Sequence, residues 1–292
     1  MSRIEKLFKN LRYISKLELK KNRLLESSTE ELMANILYYI PTSSVVRPNV
    51  FDGDQTTDVL CKTNKSLARF GDAELVTIGG GDTPFQKYDE RLATRLREIL
   101  QNNNDKLMIG INHWYYFPTL DPNQNELAKN FALFAMPKYR KQLNTLIDFK
   151  KQYFDAAFTC IRYEKSKNND DFFNKIRSVW DSKEVVLVGC HEAQKKYQYN
   201  LFDNASKETW VYVPNTNAFS EYDNLLNTLC LYPKDSIIIL MAGSTAKVLA
   251  NDLSLMGYRA LDLGHIAKSY DYYMRSVVFN SEIEEDFWKP DL

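Results

Sequence analysis

Asp72 and Glu74, one residue apart in Ser66-Leu67-Ala68-Arg69-Phe70-Gly71-Asp72-Ala73-Glu74-Leu75, form the sharpest chemical signal in the chain. If this segment is extended, side chains alternate with period two and both carboxylates face one side. Such a pair can hold Mg²⁺ or Mn²⁺, with the remaining ligands taken from a diphosphate. The ion would neutralise charge developing on a departing phosphate group. Arg69 suits a phosphate contact, or a clamp on one of the carboxylates. A lone DxE triplet also arises about once by chance in a chain of this length, and the bland alternative is a solvated acidic turn.

Other residues invite the same weighing. Gly243-Ser244-Thr245 follows the apolar run Ile237–Met241 and opens a helical pattern, where free backbone N–H groups favour an anion. Ser244 or Thr245 is equally a good helix cap. Of the three histidines, His265 follows Asp262 by three residues, and Asp262 could orient it as a base toward a hydroxyl. Its alternative is a histidine bonded to backbone in a tight turn. His113, His191, Glu192 and Asp223 are further candidates of the same kind.

The elements that must position these groups alternate in type. Apolar runs at Leu107–Ile111, Ala156–Ile161, Val185–Gly189, Trp210–Val213, Ile237–Met241 and Ala260–Leu263 predict strands. Helical periodicity over Asp89–Leu100 and Thr245–Met256 predicts helices between them. Strands alternating with helices imply an α/β, Rossmann-like, mostly parallel sheet with helices on both faces. In such a sheet ligands bind at the carboxyl ends of the strands. Those exits carry Asn112-His113, Arg162-Tyr163, His191-Glu192, Pro214–Asn217, Gly243–Thr245 and Gly264-His265, a polar or glycine-bearing row that predicts a ligand crevice.

Ahead of the sheet stands a helical N-terminal extension. Ile4, Leu7, Phe8, Leu11, Ile14 and Leu17 recur at helical spacing among eight Lys and Arg residues within residues 1–25. A basic amphipathic helix suits an anionic membrane surface or a partner protein, and otherwise packs on its own domain. Ser28-Thr29-Glu30-Glu31 predicts the cap of a second helix that Pro41 ends. Residues 42–57, rich in Ser, Pro, Asp and Gly, read as a loop. The expected division is an extension over 1–57 and one α/β domain over 58–292.

Bulk properties exclude some classes. The 292 residues carry no formal net charge, which argues against a nucleic-acid partner. Cys61, Cys160, Cys190 and Cys230 form no CxxC pair, and Cys160 and Cys190 read as buried thiols of a reducing compartment. Without an apolar run of membrane-spanning length or a signal core, the expected location is cytoplasmic, or peripheral at the inner face of a membrane. No GxGxxG follows a predicted strand, so a nicotinamide- or adenosyl-dependent enzyme has no support.

Several blocks in one order resemble a known family. Ser66–Leu75 is similar to the SLARFGDGEL signature of bacterial glycosyltransferases with the GT-D fold. Phe85-Gln86-Lys87-Tyr88-Asp89 with Leu92 and Leu96 resembles the family's FQxYDxxLAxxL. Ala157-Phe158-Thr159 with Arg162-Tyr163 resembles its strand ending in an arginine. Pro214–Phe219 with Tyr222-Asp223, Gly243–Ala250 with Leu253 and Gly257-Tyr258, and Leu261–Ile266 with Tyr270 resemble its PxxNAFxxYD, GPTATVLAxDLxxxGY and DxGHIxxxY blocks. The resemblance spans roughly residues 60–275. It implies sugar transfer from a nucleotide-sugar donor such as UDP-glucose, with the DxE carboxylates Asp72 and Glu74 serving a Mn²⁺ or Mg²⁺ ion and Glu74 counted among the catalytic groups. With it, donor contacts are expected on Arg69, Gly71, Gln86, Arg162, Asn217, Gly243, Ser244 and Thr245, and His265 stays the candidate base. Acceptors in such families are glycans or glycoproteins of bacterial surface polysaccharides and adhesins.

Two departures stand out. The usual GDGE is Gly71-Asp72-Ala73-Glu74, which keeps both carboxylates. The family's glycine-rich stretch is replaced by Cys190-His191-Glu192-Ala193-Gln194-Lys195-Lys196-Tyr197-Gln198-Tyr199-Asn200, removing the residues that let a backbone approach phosphate. Lys195 or Lys196 could supply positive charge there. That loss also motivates an alternative function, a catalytically silent sugar-nucleotide-binding scaffold of a glycosylation complex.

Overall fold

The computed structural model describes residues 29–40, 44–119, 129, 131–160, 166–278, 283 and 286–290. The expected basic helix of residues 1–25, the Ser28 cap and Arg162 lie outside them. The chain forms two compact units, one of residues 1–46 with 114–144 and one of residues 47–113 with 145–292.

In the smaller unit, helix α1 (Thr29–Tyr38) shares a buried hub with the segment Phe131–Ala135 and helix α5 (Met136–Asn144). Arg140 Nη2 donates to Asn35 Oδ1 at 2.5 Å, and its guanidinium lies 3.7 Å from the Tyr38 ring centroid. The rings of Tyr115, Phe131 and Tyr139 pack beside them with centroids 6.1 to 6.5 Å apart.

The larger unit is built on eight strands, every pairing parallel, in the order β1-β4-β3-β2-β8-β7-β5-β6. They are β1 (Asn49–Val50), β2 (Ser66–Phe70), β3 (Leu107–Ile111), β4 (Gln152–Asp155), β5 (Glu184–Gly189), β6 (Lys207–Tyr212), β7 (Ile237–Leu240) and β8 (Arg259–Asp262). The central strands β2, β3, β7 and β8 are almost wholly buried, as a parallel sheet covered on both faces requires. Helix α4 (Glu90–Gln101) buries Leu92, Leu96, Ile99 and Leu100 at helical spacing, and Asp89 caps it by accepting Leu92 N at 2.8 Å. Helix α9 (Thr245–Leu255) crosses from β7 to β8, packs on β2, β8 and α4, and is buried nearly all round.

Two expectations need correction. Residues 42–57 are more than a loop: β1 joins the sheet through Asn49↔Gln152, and Asp52 opens helix α2 (Gly53–Lys62). Asp52 Oδ1 accepts Gln55 N at 2.9 Å while Gln55 Oε1 accepts Asp52 N at 3.1 Å, so Asp-Gly here is a capping box and not a turn. The expected boundary at 57/58 therefore falls inside a helix. The strand placed at Ala156–Ile161 lies wholly before that range, as β4 over Gln152–Asp155; residues 156–160 form a turn, opened by Asp155, whose Oδ1 accepts Ala157 N (3.0 Å) and His113 N (3.1 Å).

Candidate active site

Chain direction creates the site. From β5 the chain moves outward to β6, whereas from β7 it moves inward to β8, so the connections part between β5 and β7. A crevice at the carboxyl ends follows from that reversal. A cleft of about 380 Å³ occupies it. The exits of β2 (Gly71–Glu74), β4 (Ala156, Cys160), β5 (Cys190), β6 (Val213–Asn215), β7 (Ala242–Ser244) and β8 (Gly264, His265) all line it, with Thr83–Gln86 and Trp288.

Asp72 and Glu74 both reach this cleft, but not by strand alternation. Strand β2 stops at Phe70, and Asp72 is the first residue of helix α3 (Asp72–Ile78). Glu74, third in that helix, reaches back so that its Oε2 accepts Gly71 N at 2.9 Å. Its Oε1 accepts Ser244 Oγ at 2.8 Å and lies 3.1 Å from Lys247 Nζ. Glu74 is thus buried and held, whereas Asp72 opens to solvent at the cleft wall. Desolvation by the cleft walls, then repulsion from Glu74, raises the Asp72 carboxyl above the ordinary carboxylate range.

Beneath them lies a buried charge network that sequence reasoning missed. Lys247 Nζ sits 3.1 Å from Glu74 and 3.2 Å from Asp262 Oδ2, and donates to Gly243 O at 3.0 Å. Burial alone would lower the Lys247 ammonium, yet Asp262 and Glu74 outweigh it and hold it above the usual lysine range. Burial would raise Asp262, but Lys247 and Arg69 hold it below its usual value. The available signal was a lone lysine inside the apolar helix Thr245-Ala246-Lys247-Val248-Leu249-Ala250.

Arg69 is a tie between strands. Its backbone N–H donates to Asp262 Oδ2 (3.0 Å) and Nε to Asp262 O (2.8 Å), while Nη1 donates to Ala156 O (2.9 Å) and Thr159 Oγ1 (2.6 Å). It clamps Asp262, neither Asp72 nor Glu74, and so positions the exits of β2, β4 and β8. Gly264, at φ +52°, leaves the space that the Arg69 guanidinium fills, and a Cβ there would run into Nη2. Gly264→Ala should therefore cost about 2 kcal/mol through overpacking and left-handed strain, read as a lower urea midpoint with an unchanged m-value.

The other expected site residues divide. Gly71, Gln86, Gly243 and Ser244 line the cleft, and Gln86 also closes its loop by donating to Lys87 O at 3.0 Å. Thr245 is buried behind Ser244 at the start of α9 and is not part of the lining. Asn217 braces two loops away from the lining: its Oδ1 accepts Lys87 N and its N–H donates to Phe85 O, both at 2.8 Å, from a left-handed backbone at φ 57°. Helix α7 (His191–Lys196) turns Ala193 to the cleft, with Cys190 and Tyr197 flanking it at i−3 and i+4, which leaves Lys195 on the exposed face. Cys160 and Cys190, expected in the core, both border the cleft.

His265 lines the cleft at the start of helix α10 (Ile266–Met274). Its ring lies 5.5 to 5.7 Å from those of Phe85, Phe287 and Trp288. Asp262 does not orient it, because both Asp262 oxygens serve Arg69 and Lys247. His113, His191 and Glu192 lie outside the lining. Asp223 is exposed and bidentate on Arg91 at 2.8 and 2.9 Å, which draws its carboxyl below the usual range. An exposed, solvent-screened pair of this kind contributes little to stability, so Asp223→Asn should leave turnover and stability nearly unchanged, checked by steady-state rates and a melt.

Comparison with known proteins matches this arrangement to a family. The model of the family described as glycosyltransferase GT-D fold matches residues 67–289. Glycosyltransferase GlyD of Streptococcus pneumoniae serotype 4 is 27% identical over 256 residues, covering 83% of this chain and 30% of that protein. The probable glycosyl transferase Gly of Streptococcus gordonii is 29% identical over 229 residues, covering 77% and 33%. The chain thus spans about a third of the length of the curated relatives it matches. Among solved structures, one of domain of unknown function 1792 aligns with TM-score 0.74 at 28% identity, covering 90% of this chain and 94% of that one. Another, described as a new glycosyltransferase from Streptococcus sanguinis, aligns with TM-score 0.73 at 25% identity, covering 84% and 94%. A third, described as having a distinct glycosyltransferase fold, aligns at 0.71 and 26%, covering 89% and 98%. The chain belongs to the glycosyltransferase family with the GT-D fold.

Proposed function

We propose that the protein transfers a sugar from a nucleotide-sugar donor, in the first instance a UDP-hexose, to a hydroxyl of a glycan or glycoprotein acceptor, with Mn²⁺ or Mg²⁺ as cofactor. The observation that carries this is Asp72, opening into the cleft at the sheet's reversal with Glu74 fixed behind it.

The residues suit the ion. No group of three or more His, Cys, Asp or Glu side chains that could hold a metal occurs among the described residues. Mg²⁺ and Mn²⁺ need only one or two protein carboxylates when phosphate oxygens and water complete the shell. Repulsion between Asp72 and Glu74 also leaves negative charge that a cation would relieve. Asp72 would be the direct ligand. Glu74, already shared with Ser244, Lys247 and Gly71, would add its remaining lone pairs or hold a ligand water. When bound, the ion supplies charge neutralisation on the departing diphosphate.

The protein's own groups do the rest. Gly243 and Ser244 present the N-terminal end of α9 to the cleft, where the helix dipole favours the donor's phosphates. Arg69 and Lys247 keep the walls in place from beneath. His265, the one histidine of the lining among the described residues, takes the proton of the attacking hydroxyl in an inverting transfer. Its aromatic surround limits water at that point.

The test is release of nucleotide from a panel of UDP-, GDP- and dTDP-sugars with Mn²⁺, repeated in EDTA. Metal-dependent turnover of at least one donor is expected, with His265→Gln losing transfer more than donor hydrolysis. Tight donor binding without turnover for any acceptor would instead favour the silent scaffold. Neither binding nor turnover would end the sugar-transfer reading.

A further inference from the structure

Tyr197 and Trp210, which border the cleft, also line a second groove of about 190 Å³ together with Glu208 of β6. On that strand Glu208, Trp210 and Tyr212 are two apart and share one face, with Trp210 and Tyr212 stacked at 6.0 Å and 17°. The opposite wall is the segment that follows helix α7. Tyr197, Gln198, Tyr199 and Asn200 come from it.

That wall is a built surface. Asp271, almost fully buried, accepts the backbone N–H groups of Gln198 (2.7 Å) and Tyr199 (3.1 Å) on one oxygen, and its other oxygen accepts Arg275 Nε at 2.8 Å. Asn200 Oδ1 accepts Phe202 N at 2.9 Å while its Nδ2 donates to Glu208 Oε1 at 2.7 Å. The loop is therefore fixed before any ligand arrives, which lowers the entropic cost of binding. Tyr199 nevertheless stays 41% exposed, an aromatic side chain on a backbone held in place.

The lining chemistry selects a ligand class. It offers aromatic faces (Tyr197, Tyr199, Trp210), side-chain amides (Gln194, Gln198) and one carboxylate (Glu208), and no Lys, Arg or His. Aromatic faces stack on the C–H faces of sugar rings, and amides and carboxylates bond to hydroxyls. A phosphate or other anion would meet Glu208 with no cation to offset it.

We propose that this groove is the acceptor subsite and takes a neutral saccharide, whose terminal hydroxyl then lies at the Tyr197–Trp210 junction with the donor cleft. The loop of residues 197–200 is on this account an acceptor-binding loop. The proposal rests on the sugar-transfer reading above, but its test does not need turnover.

The test is saturation-transfer difference NMR of the full chain with neutral probes, namely oligomers of glucose, galactose and N-acetylglucosamine of one to four units, with glucose 6-phosphate as the anionic control. The variants are Tyr199→Ala, exposed enough to fold, and Gln198→Ala, whose backbone contact to Asp271 is retained. At least one neutral probe should bind, with Kd raised about tenfold in Tyr199→Ala and unaffected by saturating UDP. Glucose 6-phosphate should bind more weakly. Where an acceptor is turned over, its KM should rise in both variants while the donor KM and donor hydrolysis hold. Saccharide binding without any turnover would sustain the groove and sink the enzymatic reading. The groove assignment is overturned if no probe shows a Tyr199-dependent signal, if UDP displaces the saccharide, or if the donor KM moves in place of the acceptor's.

Discussion

Asp72→Asn will lower metal-dependent turnover by about a hundred- to a thousandfold, the usual loss when one preorganised electrostatic stabiliser of a developing charge is removed. The substitution keeps size and removes only the charge that the ion needs. It should not harm the fold. Asp72 titrates above its ordinary range in the folded protein, so between the unfolded and folded values the native state binds more protons than the unfolded one. Stability then falls as pH rises through that window, and the ionised carboxylate is a net cost at neutral pH in the metal-free protein. Metal-free Asp72→Asn should accordingly melt at or above the wild-type temperature, and Mn²⁺ should raise the melting temperature of wild type alone. The same titration predicts that ion binding weakens as pH falls through a value higher than a free aspartate would show. Glu74→Gln is a less clean comparison, because Glu74 also answers Lys247 in the interior.

Lys247→Met is expected to have the largest effect on stability. Lys247 is nearly inaccessible and is the cation shared by Glu74 and Asp262. Removing it leaves carboxylates facing one another without their counter-charge, a change that costs about 3–5 kcal/mol in buried pairs. Asp262 keeps Arg69, and Glu74 keeps Ser244 and the Gly71 N–H, so the lower end of that range is the expected value. In a chain of this size that is a fall of roughly 6 °C or more in Tm. Thermal and urea melts measure it, and a loss below about 1 kcal/mol would mean that the network is not held by Lys247. Mn²⁺ should recover a larger share of the lost Tm in Lys247→Met than it adds to wild type, because the bound cation then supplies the missing positive charge near Glu74.

The architecture was readable from the sequence because its strands are apolar runs and its helices keep period. Leu107–Ile111 and the helix beginning at Thr245 came out with bounds that needed little change. What failed were features decided by a single side chain. Asp52 as a cap turned an apparent loop into α2, and the Asp155 side chain turned the chain where a strand was expected to begin. The carboxylates were found for a reason that does not hold: a helix start, not an extended strand, brings Asp72 and Glu74 to the cleft. Arg69 and Asn217 read as donor contacts and Asp223 as a base, because polar residues at strand exits usually face a ligand, and Arg69 does line the cleft. Their partners proved to be Asp262, Lys87 and Arg91, contacts more than a hundred residues distant in sequence that no local pattern reveals. Lys247 was hidden for the opposite reason, since its neighbours make the helix look like plain core.

Electron paramagnetic resonance of Mn²⁺, titrated with protein in the presence of UDP, addresses the central claim most directly. Free Mn²⁺ gives a six-line signal that fades on binding. Wild type should remove that signal in a UDP-enhanced manner, and Asp72→Asn should leave it near the level of UDP alone. Equal uptake by the two proteins would place the ion elsewhere and contradict Asp72 as its ligand.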